Sequence, residues 1–271
     1  MKTLDTLIED IHNLLEYGKE PTEQFVKEYA EAVAADVSNA MRSYLEDRKG
    51  TLRMSNVGRP CKRQLWYEAN GVEGETITPE VKLRFMFGHL IEGMLLYLAK
   101  EAGHEVSHEQ KEVEINGIVG HMDAVIDGYV VDVKSASPFA FQKFKKNTIH
   151  LDDAFGYIGQ ISGYAQALNK PAAFFAMDKG SCELAIAKVN TIDFEKLSTD
   201  VKAQVESTNV PDRGFNTKPD GKSGNMMLEM NCRYCAFKRT CFPTLRAFQY
   251  SNGIRYLTHV AKLPNVPEVK V

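Results

Sequence analysis

Two aspartates and a lysine flank a tight turn in the middle of the chain. In the stretch GIVGHMDAVIDGYVVDVKSAS, apolar residues alternate with others up to Asp127-Gly128 and again beyond it. This pattern predicts a β-hairpin with a two-residue turn. Its register places Asp123 opposite Asp132, with Cβ atoms roughly 5 Å apart, and Lys134 lies on the same face. Because opposed like charges destabilise a sheet, the pair indicates a binding site for a divalent cation.

The two faces of the predicted hairpin differ in polarity. One face is apolar and is expected to pack in the core, with Ile118, Met122, Ala124, Ile126, Tyr129, Val131 and Val133. The other face carries His121 beside the carboxylates, and counting across the Asn116-Gly117 turn places Glu112 next to it, without an assigned role for either. A solvated face with a chance cluster of charges is the alternative interpretation.

A helix predicted from Pro79 to Ala102 precedes the hairpin and contains the sequence GHLIEG. His89 and Glu92 are three residues apart in it and therefore share a face. One imidazole, two carboxylates and a backbone carbonyl can form an open site for Mg²⁺ or Mn²⁺ with room for water. The Lys134 ammonium would then orient or activate an attacking water.

The segment after the hairpin carries polar, aromatic and basic side chains. A helix predicted at residues 152–169 places Tyr157, Gln160 and Tyr164 on one side. This spacing is frequent by chance, but its position soon after the lysine suits contacts with a phosphate backbone. Before it, Pro138 opens a short helix with the basic residues Lys143, Lys145 and Lys146. Such a cluster is usually solvated surface and favours nucleic-acid binding only beside a site.

Four of the five cysteines have the spacing of metal ligands. Cys232, Cys235 and Cys241 form a C-x2-C-x5-C pattern, and Cys61 lies far upstream. Thiolates at C-x2-C spacing can bind one metal centre from a single turn. The spacing alone does not separate tetrahedral zinc from an iron–sulfur cluster. Cys182 alternates with apolar residues in a predicted strand, so we interpret it as a small core residue.

Composition is that of an ordinary globular protein. The chain of 271 residues is 44% hydrophobic and 25% charged, which is enough for a sizeable core. A net charge of −3 excludes a strong overall positive field. No apolar run approaches the ~18 residues of a membrane span, and acidic residues near the N-terminus argue against a secretory signal. We expect a cytoplasmic protein, or one of the host cytoplasm if a phage encodes it, with reduced cysteines.

The order of predicted elements indicates the fold class. Besides the elements above, we predict helices at 3–17, from Pro21 onward and at 192–207, hairpins about Lys179-Gly180 and Asn252-Gly253, and a long loop at 211–231. This order predicts an α+β protein with a mixed central β-sheet that contains an antiparallel meander and is flanked by helices. We divide it into an N-terminal helical segment packing on the core (1–50), the core (51–245), and a C-terminal hairpin and tail (246–271).

Six short motifs follow one another between residues 55 and 245: CKRQLWY, GHLIE, GHMD, DVK, QISGY and CRYCAFKRTC. In this set and order the chain resembles PD-(D/E)xK nucleases of the RecB-like branch. It is most similar to the iron–sulfur members, namely the RecB-like exonucleases of CRISPR adaptation, the AddB nuclease domain and related phage exonucleases. Two departures are that no proline precedes Asp123 and that Asp rather than Glu stands at 132. No G-x-x-x-x-G-K-[ST] occurs, so the resemblance is to a stand-alone nuclease or a subunit rather than a helicase fusion.

The resemblance implies a restriction-endonuclease-like core and a role for each motif residue. The implied metal ligands are His89, Asp123, Asp132 and the carbonyl of Val133. Lys134 would be the catalytic lysine and Glu92 an accessory acid. Residues that would complete the site or contact DNA are Gln160, Tyr164, Tyr157, Lys143, Lys145 and Lys146. A [4Fe–4S] cluster, with Zn²⁺ as the alternative, would be ligated by Cys61, Cys232, Cys235 and Cys241.

These roles lead us to expect a Mg²⁺- or Mn²⁺-dependent deoxyribonuclease. It would be an exonuclease acting on single-stranded DNA or DNA ends in phage or prokaryotic recombination, repair or processing. Metal-activated water would hydrolyse the phosphodiester, and recombination or replication proteins are expected among its partners, with no membrane. The alternative is a non-catalytic DNA-binding adaptor subunit that retains the fold and the metal cluster. Cleavage polarity and oligomeric state are not predicted.

Overall fold

The computed structural model describes residues 2–43 and 50–270. The helices, in chain order, are α1 (Leu7–Tyr17), α2 (Glu23–Ser43), α3 (Met54–Val57), α4 (Lys62–Ala69), α5 (Pro79–Glu101), α6 (Pro138–Lys145), α7 (Tyr157–Leu168), α8 (Phe194–Val205), α9 (Met230–Arg233) and α10 (Lys238–Cys241). The strands are β1 (Val106–Ser107), β2 (Glu112–Ile115), β3 (Ile118–His121), β4 (Ala124–Ile126), β5 (Tyr129–Ala136), β6 (Ala172–Asp178), β7 (Leu184–Val189), β8 (Thr217–Pro219), β9 (Met226–Leu228), β10 (Arg246–Tyr250), β11 (Gly253–His259) and β12 (Glu268–Val269). Within the two described ranges, none of the helices combines the length and the apolar character needed to cross a membrane.

These elements form an α+β fold, as the sequence predicts. They fall into two compact units, each of which draws on several stretches of the chain. Unit 1 comprises residues 2–43, 52–59 and 78–201, and unit 2 comprises residues 50–51, 60–77 and 202–270. The sequence-based division at residues 50 and 245 is a different grouping and stays a prediction.

A five-stranded mixed sheet forms the centre of unit 1. Its strand order is β1-β4-β5-β6-β7. Strands β5 and β6 run parallel, and the other neighbouring pairs are antiparallel. The predicted mixed central sheet is therefore confirmed. Strand β6 is buried along its whole length, as expected for a central strand covered on both faces.

The hairpin formed by β4 and β5 has the predicted register. Ile126 pairs with Tyr129, so Asp127 and Gly128 are the two turn residues. Their φ angles are 48° and 84°, the positive values that a type I′ turn requires. An Asp-Gly sequence suits both positions, because Asp tolerates the left-handed region better than most residues and Gly adopts it freely.

The first strand of this hairpin is shorter than predicted. The prediction that residues 118–126 form one strand is wrong, because the strand is interrupted at Met122 and Asp123 and divides into β3 and β4. Strand β3 pairs with β2 in a separate two-stranded sheet, whereas β4 pairs with β5. The backbone at the break bonds to the segment before β2: the N–H of Met122 donates to the carbonyl of Lys111, and the N–H of Gln110 donates to the carbonyl of Asp123. Apolar alternation continues through the break and does not reveal this change of partner.

Helices cover both faces of the central sheet. On one face α1 and α5 pack against the predicted core side chains Ala124, Ile126, Val131 and Val133. On the other face, Phe144 of α6 and Tyr157 of α7 pack on Phe174 of β6, with ring centroids 5.4 and 6.3 Å away. Because side chains alternate along a strand, Asp132 and Lys134 of β5 belong to this second face.

Gly120 allows α3 and α7 to approach β3 closely. A Cβ atom at this position would lie 2.7 Å from Tyr164 Cε1 and 2.8 Å from Met54 Cβ. Carbon atoms in packed interiors are not found so close together, so only glycine fits here without a shift of its neighbours. Tyr164, which is 1% exposed, therefore takes its position from β3 and α3 as well as from α7.

Unit 2 contains a second five-stranded sheet, with the order β12-β10-β11-β9-β8. Strands β10 and β11 form the predicted C-terminal hairpin, but Tyr250 pairs with Gly253, so the turn is Ser251-Asn252, one residue earlier than predicted. Strands β8 and β9 lie in residues 211–231, where the sequence predicts only a loop. Strands of three residues are too short to show an alternation of period two.

Cys182 is not a core residue, contrary to the prediction. It is exposed, has a φ of 60°, and lies in the loop between β6 and β7. Strand β7 begins only at Leu184. Apolar alternation extends from the strand into the loop, so periodicity alone makes the strand too long.

Candidate functional site

Asp123 is held by the strand opposite it. If the hairpin register continued regularly, the N–H of Val133 would bond to the carbonyl of Met122. That part of the chain has turned away with β3, and the Val133 N–H donates instead to Asp123 Oδ2 at 2.6 Å. The carboxylate thereby replaces a backbone acceptor and is fixed at the end of β4.

Asp132 is fully buried, at 0% exposure. Its Oδ2 lies 2.5 Å from Nζ of Lys134, whose side chain is 17% exposed. Apart from this ion pair, both carboxylate oxygens of Asp132 are buried without a hydrogen-bond partner. A chance cluster of solvated charges is therefore excluded, because this carboxylate does not reach solvent.

Burial and repulsion favour the protonated forms of the two carboxyl groups. The pKa of Asp123 lies well above its usual value because the group is buried and because Glu92 and Asp132 are near it. Burial also raises the pKa of Asp132, although Lys134 opposes the shift. Burial alone would lower the pKa of Lys134, but Asp132 and Asp123 raise it above its usual value. Such a site favours the binding of further positive charge.

Helix α5 contributes Glu92 to the same site. Its charge raises the pKa of both aspartates. Its Oε1 accepts a hydrogen bond from Gln110 Nε2 at 2.6 Å. The helix approaches β5 at Gly88, where a Cβ atom would lie 3.8 Å from Ser135 Oγ. The structure thus brings Glu92 together with the hairpin, as the sequence predicts for an acid of this helix.

His89 has other neighbours than those expected for a metal ligand. Its Nδ1 lies 3.9 Å from Glu92 Oε2, and its side chain is 52% exposed. Glu92 and Asp36 of α2 raise the pKa of His89. Its role as a metal ligand beside Asp123 and Asp132 stays a prediction. Asp36 was missed because nothing in its spacing indicates a contact with α5.

Helix α7 directs Tyr157, Gln160 and Tyr164 toward the site. Lys134 Nζ lies 4.7 Å from the centre of the Tyr157 ring. Gln160 Nε2 donates to the Tyr164 hydroxyl at 3.1 Å. Burial raises the pKa of Tyr164, and the charge of Asp132 raises it further. The predicted side of α7 is therefore the side that faces the site, while contacts with DNA stay a prediction.

Helix α7 begins at Tyr157, later than the predicted range 152–169, because Asp153 fixes a turn before it. Asp153 Oδ1 accepts from the N–H groups of Gly156 and Tyr157 at 2.9 Å, and Oδ2 accepts from Ile158 at 2.8 Å. These bonds satisfy donors that the start of a helix leaves unpaired. Asp153 was missed, although an aspartate before a helix is a usual capping signal.

The basic residues of α6 are largely paired with acids. Lys143 Nζ lies 2.6 Å from Asp152 Oδ2, and Lys145 forms an ion pair with Glu183. Lys146 is exposed. Contacts of these lysines with DNA stay a prediction, and two of the three would exchange a carboxylate for a phosphate.

Glu112 and His121 form the pair that register counting predicts. The two residues are opposite each other in the β2–β3 ladder. His121 Nε2 lies 3.3 Å from Glu112 Oε2, and the side chains are 57% and 66% exposed. Because exposed ion pairs contribute little, this contact explains the pair as surface structure.

The four cysteines predicted to bind a metal lie together in unit 2. Burial raises the pKa of Cys232 to about 12, and Cys235, Cys61 and Cys241 contribute to the shift. Burial also raises the pKa of Cys235 to about 11, with contributions from Cys61 and Cys241. The charges of the other three thiols therefore act on Cys232, although Cys61 is distant in sequence.

Residues before β8 surround these thiols. Gly214 lies against Cys61, since a Cβ atom on the glycine would be 2.8 Å from Cys61 Cα and 3.3 Å from its Sγ. Arg213 Nη2 donates to the carbonyl of Cys241 at 2.6 Å. The sequence predicts a long loop here but gives no sign that it contacts the cysteines.

Both candidate metal sites fit their proposed groups by donor chemistry. Asp132 presents two buried oxygens, of which Oδ2 is paired only with Lys134 and Oδ1 has no partner, next to a second carboxylate, which suits a hard divalent cation. Four neighbouring thiols suit zinc or an iron–sulfur cluster, and binding would displace the protons that the raised pKa values retain. As the side chains stand in residues 2–43 and 50–270, no three His, Cys, Asp or Glu residues are arranged to hold a metal ion.

No protein-family model matches this chain, and no curated protein matches it. Among solved structures, the crystal structure of SSO0001 aligns with a TM-score of 0.41 at 14% identity and covers 77% of this chain and 94% of that chain. The crystal structure of LHK-Exo in complex with dAMP aligns with a TM-score of 0.36 at 13% identity and covers 65% of this chain and 88% of that chain. Similarities this distant carry no argument about function.

Proposed function

We propose that this chain is a metal-dependent nuclease with its reaction centre at the β4–β5 hairpin. The observation that carries the proposal is the burial of adjacent carboxylates beside one lysine: Asp132 is 0% exposed, and Lys134 Nζ is 2.5 Å from it. An ordinary buried ion pair contains one charge of each sign. Here Asp123 and Glu92 add two further acids. Burial raises the pKa of Asp123, and the charges of Glu92 and Asp132 raise it further. Groups with such shifts cluster at functional sites.

The hairpin supplies the groups that such a reaction needs. Asp123 and Asp132 would hold Mg²⁺ or Mn²⁺, with His89 and the carbonyl of Val133 as further ligands. Bound there, the cation would polarise a phosphodiester and acidify a water. The ammonium of Lys134 would offset the negative charge that develops on the phosphate.

Helix α7 supports these groups. The Tyr157 ring lies 4.7 Å from Lys134 Nζ and limits the positions that the ammonium can adopt. Tyr164 and Gln160 are hydrogen-bonded to each other on the core side of the site. Tyr164 is 1% exposed and would help to keep bulk water from the site, and a drier site strengthens every charge interaction within it.

The substrate we propose is DNA, as single strands or free ends. The test is cleavage of an end-labelled single-stranded oligonucleotide with Mn²⁺ by wild type, Asp132→Ala and Lys134→Ala. We expect each substitution to lower the rate by roughly 10²-fold or more. Glu112→Gln, which alters an exposed acid outside the site, is the control and should leave the rate unchanged. Equal cleavage by all four proteins would refute the assignment.

The same experiment separates the nuclease from the adaptor alternative. Wild-type protein that binds the oligonucleotide but does not cleave it with Mg²⁺ or Mn²⁺ would be a non-catalytic DNA-binding subunit. The intact set of carboxylates and lysine favours the nuclease, because a subunit without chemistry has no need to bury Asp132 beside two further interacting acids.

We propose in addition that Cys61, Cys232, Cys235 and Cys241 ligate a structural metal centre in unit 2. A [4Fe–4S] cluster is the first choice and Zn²⁺ the second. Anaerobically purified protein would contain iron and acid-labile sulfide and would be brown. Colourless protein with stoichiometric zinc would establish the second choice, and protein without either metal would contradict both.

A further inference from the structure

Phe155 is an exposed aromatic residue whose ring stacks on Tyr157, next to the proposed reaction centre. It is 56% exposed, and its ring lies 5.4 Å from that of Tyr157 at an interplanar angle of 27°. The Tyr157 ring in turn lies 4.7 Å from Lys134 Nζ. A continuous path therefore leads from the ammonium of the site, through one aromatic ring, to a second ring that is open to solvent.

Tyr157 is itself fixed from the core side. Its ring centroid lies 6.4 Å from that of Phe144 and 6.3 Å from that of Phe174, both of which are buried. Phe155 thus rests on a supported ring and continues an aromatic cluster outward from the core. Isolated exposed hydrophobic residues are ordinary, but one stacked on a catalytic-site aromatic presents a flat surface in a defined place.

The backbone that carries Phe155 is held on both sides. Asp153 accepts three hydrogen bonds from the N–H groups of Gly156, Tyr157 and Ile158, at 2.8–2.9 Å. Gly156 has a φ of 80°, and a Cβ atom there would lie 2.2 Å from the carbonyl carbon of Gly58. The turn therefore cannot move outward or inward without breaking these contacts. An exposed ring on such a turn is presented to a ligand at little entropic cost.

We propose that Phe155, supported by Tyr157, stacks against an unpaired nucleobase next to the phosphate bound at Asp132 and Lys134. Every nucleobase has a π-face, so stacking of this kind binds single strands with little sequence preference. Bases inside a duplex already stack on each other and do not offer that face. Phe155 would therefore direct the chain toward single-stranded or frayed DNA. The position of the phosphate, though not the stacking itself, rests on the function proposed above.

The test measures binding of a fluorescein-labelled single-stranded oligonucleotide in Ca²⁺, with one abasic nucleotide moved along the strand. For the intact strand, Phe155→Ala should weaken binding roughly tenfold, the effect expected for loss of one base–aromatic stack. At one abasic position the wild type should lose the same factor, and Phe155→Ala should lose nothing more. Phe155→Trp should bind as wild type does. A 2-aminopurine at that position should be quenched by wild type and not by Phe155→Ala.

Phe139→Ala is the matched control. Phe139 is 80% exposed, but its partner is the Lys143 ammonium, 5.9 Å from its ring, rather than an aromatic ring of the site. This variant should bind the intact strand within twofold of wild type. Circular dichroism establishes that each variant is folded before binding is compared.

Several outcomes would overturn the proposal. Unchanged binding by Phe155→Ala, or an equal loss on intact and abasic strands at every position, would show that no base stacks there. An equal loss in Phe139→Ala would indicate a general apolar surface, such as one for a protein partner. Wild type that binds and quenches normally but never cleaves would contradict the proposed nuclease and leave the stack supported. Cleavage that needs Asp132, together with unchanged binding by Phe155→Ala, would support the nuclease and contradict the stack, and wild type that does not bind DNA would refute both.

Discussion

Replacing Gly120 with alanine should destabilise unit 1 and disturb the site through Tyr164. The new Cβ would lie 2.7 Å from Tyr164 Cε1, 2.8 Å from Met54 Cβ and 3.0 Å from Met54 Cγ. Overpacking of this kind costs about 1–3 kcal/mol, whereas alanine in place of glycine in a strand gains about 0.5–1 kcal/mol. We expect a net loss of about 1–2 kcal/mol in the free energy of unfolding. Because Tyr164 belongs to the side of α7 that would complete the site, the rate of cleavage should also fall at temperatures where the variant is fully folded.

Urea unfolding followed by far-ultraviolet circular dichroism measures this loss. Fluorescence of the only tryptophan, Trp66, is unsuitable because that residue belongs to unit 2. Gly88→Ala is the control, since its Cβ would meet only Ser135 Oγ at 3.8 Å. Alanine in the interior of α5 should stabilise by about 0.5–1 kcal/mol. If both variants shift stability in the same direction, the close packing at Gly120 does not make a Cβ atom at that position destabilising.

Three further predictions concern the carboxylates, the turn before α7 and the cysteines. Burial and the neighbouring acids raise the pKa of Asp123. Without divalent cations, the free energy of unfolding of the wild type should therefore fall as the pH rises above about 4. Asp123→Asn should be more stable than wild type at neutral pH and equal to it at pH 3. Asp153→Ala should cost about 1–2 kcal/mol and speed amide exchange at residues 156–158, because three N–H groups lose their acceptor; unchanged exchange would contradict this. Cys235→Ser should lower metal content and destabilise unit 2, as followed by Trp66 fluorescence, whereas Cys182→Ser, in an exposed loop, should do neither.

The features that the sequence predicts well are those set by local chemistry. An Asp-Gly turn has few alternatives, and it fixes which residues of β4 and β5 face each other. Helix α5 begins at Pro79 and ends within one residue of the prediction, because proline marks its start and its apolar residues recur at helical spacing. The closeness of Cys232 and Cys235 to each other follows from their C-x2-C spacing.

The features that the sequence does not predict depend on long-range contacts. The break at Asp123 arises because the preceding residues pair with β2, a choice that alternation does not encode. Asp36 interacts electrostatically with His89 and Glu92, and it belongs to a helix whose sequence shows only an amphipathic pattern. Strands β8 and β9 are too short to have a period. The stacking of Phe155 on Tyr157 is likewise absent from any spacing rule, since the prediction placed both residues in one helix.

The charged residues of the hairpin lie within residues 123–134, and this closeness bears on how the protein folds. A loop this short closes with little loss of entropy, and hairpins form in roughly 1–10 μs. Helix α7 lies in the connection between β5 and β6, so we expect it to cover the site only when these strands form their parallel pair, a slower and less local step. We therefore expect Asp123 and Asp132 to stay hydrated, with ordinary acidity, until late in folding. A cation that binds them should slow unfolding far more than it speeds folding, so metal would extend the lifetime of the folded chain rather than hasten its formation.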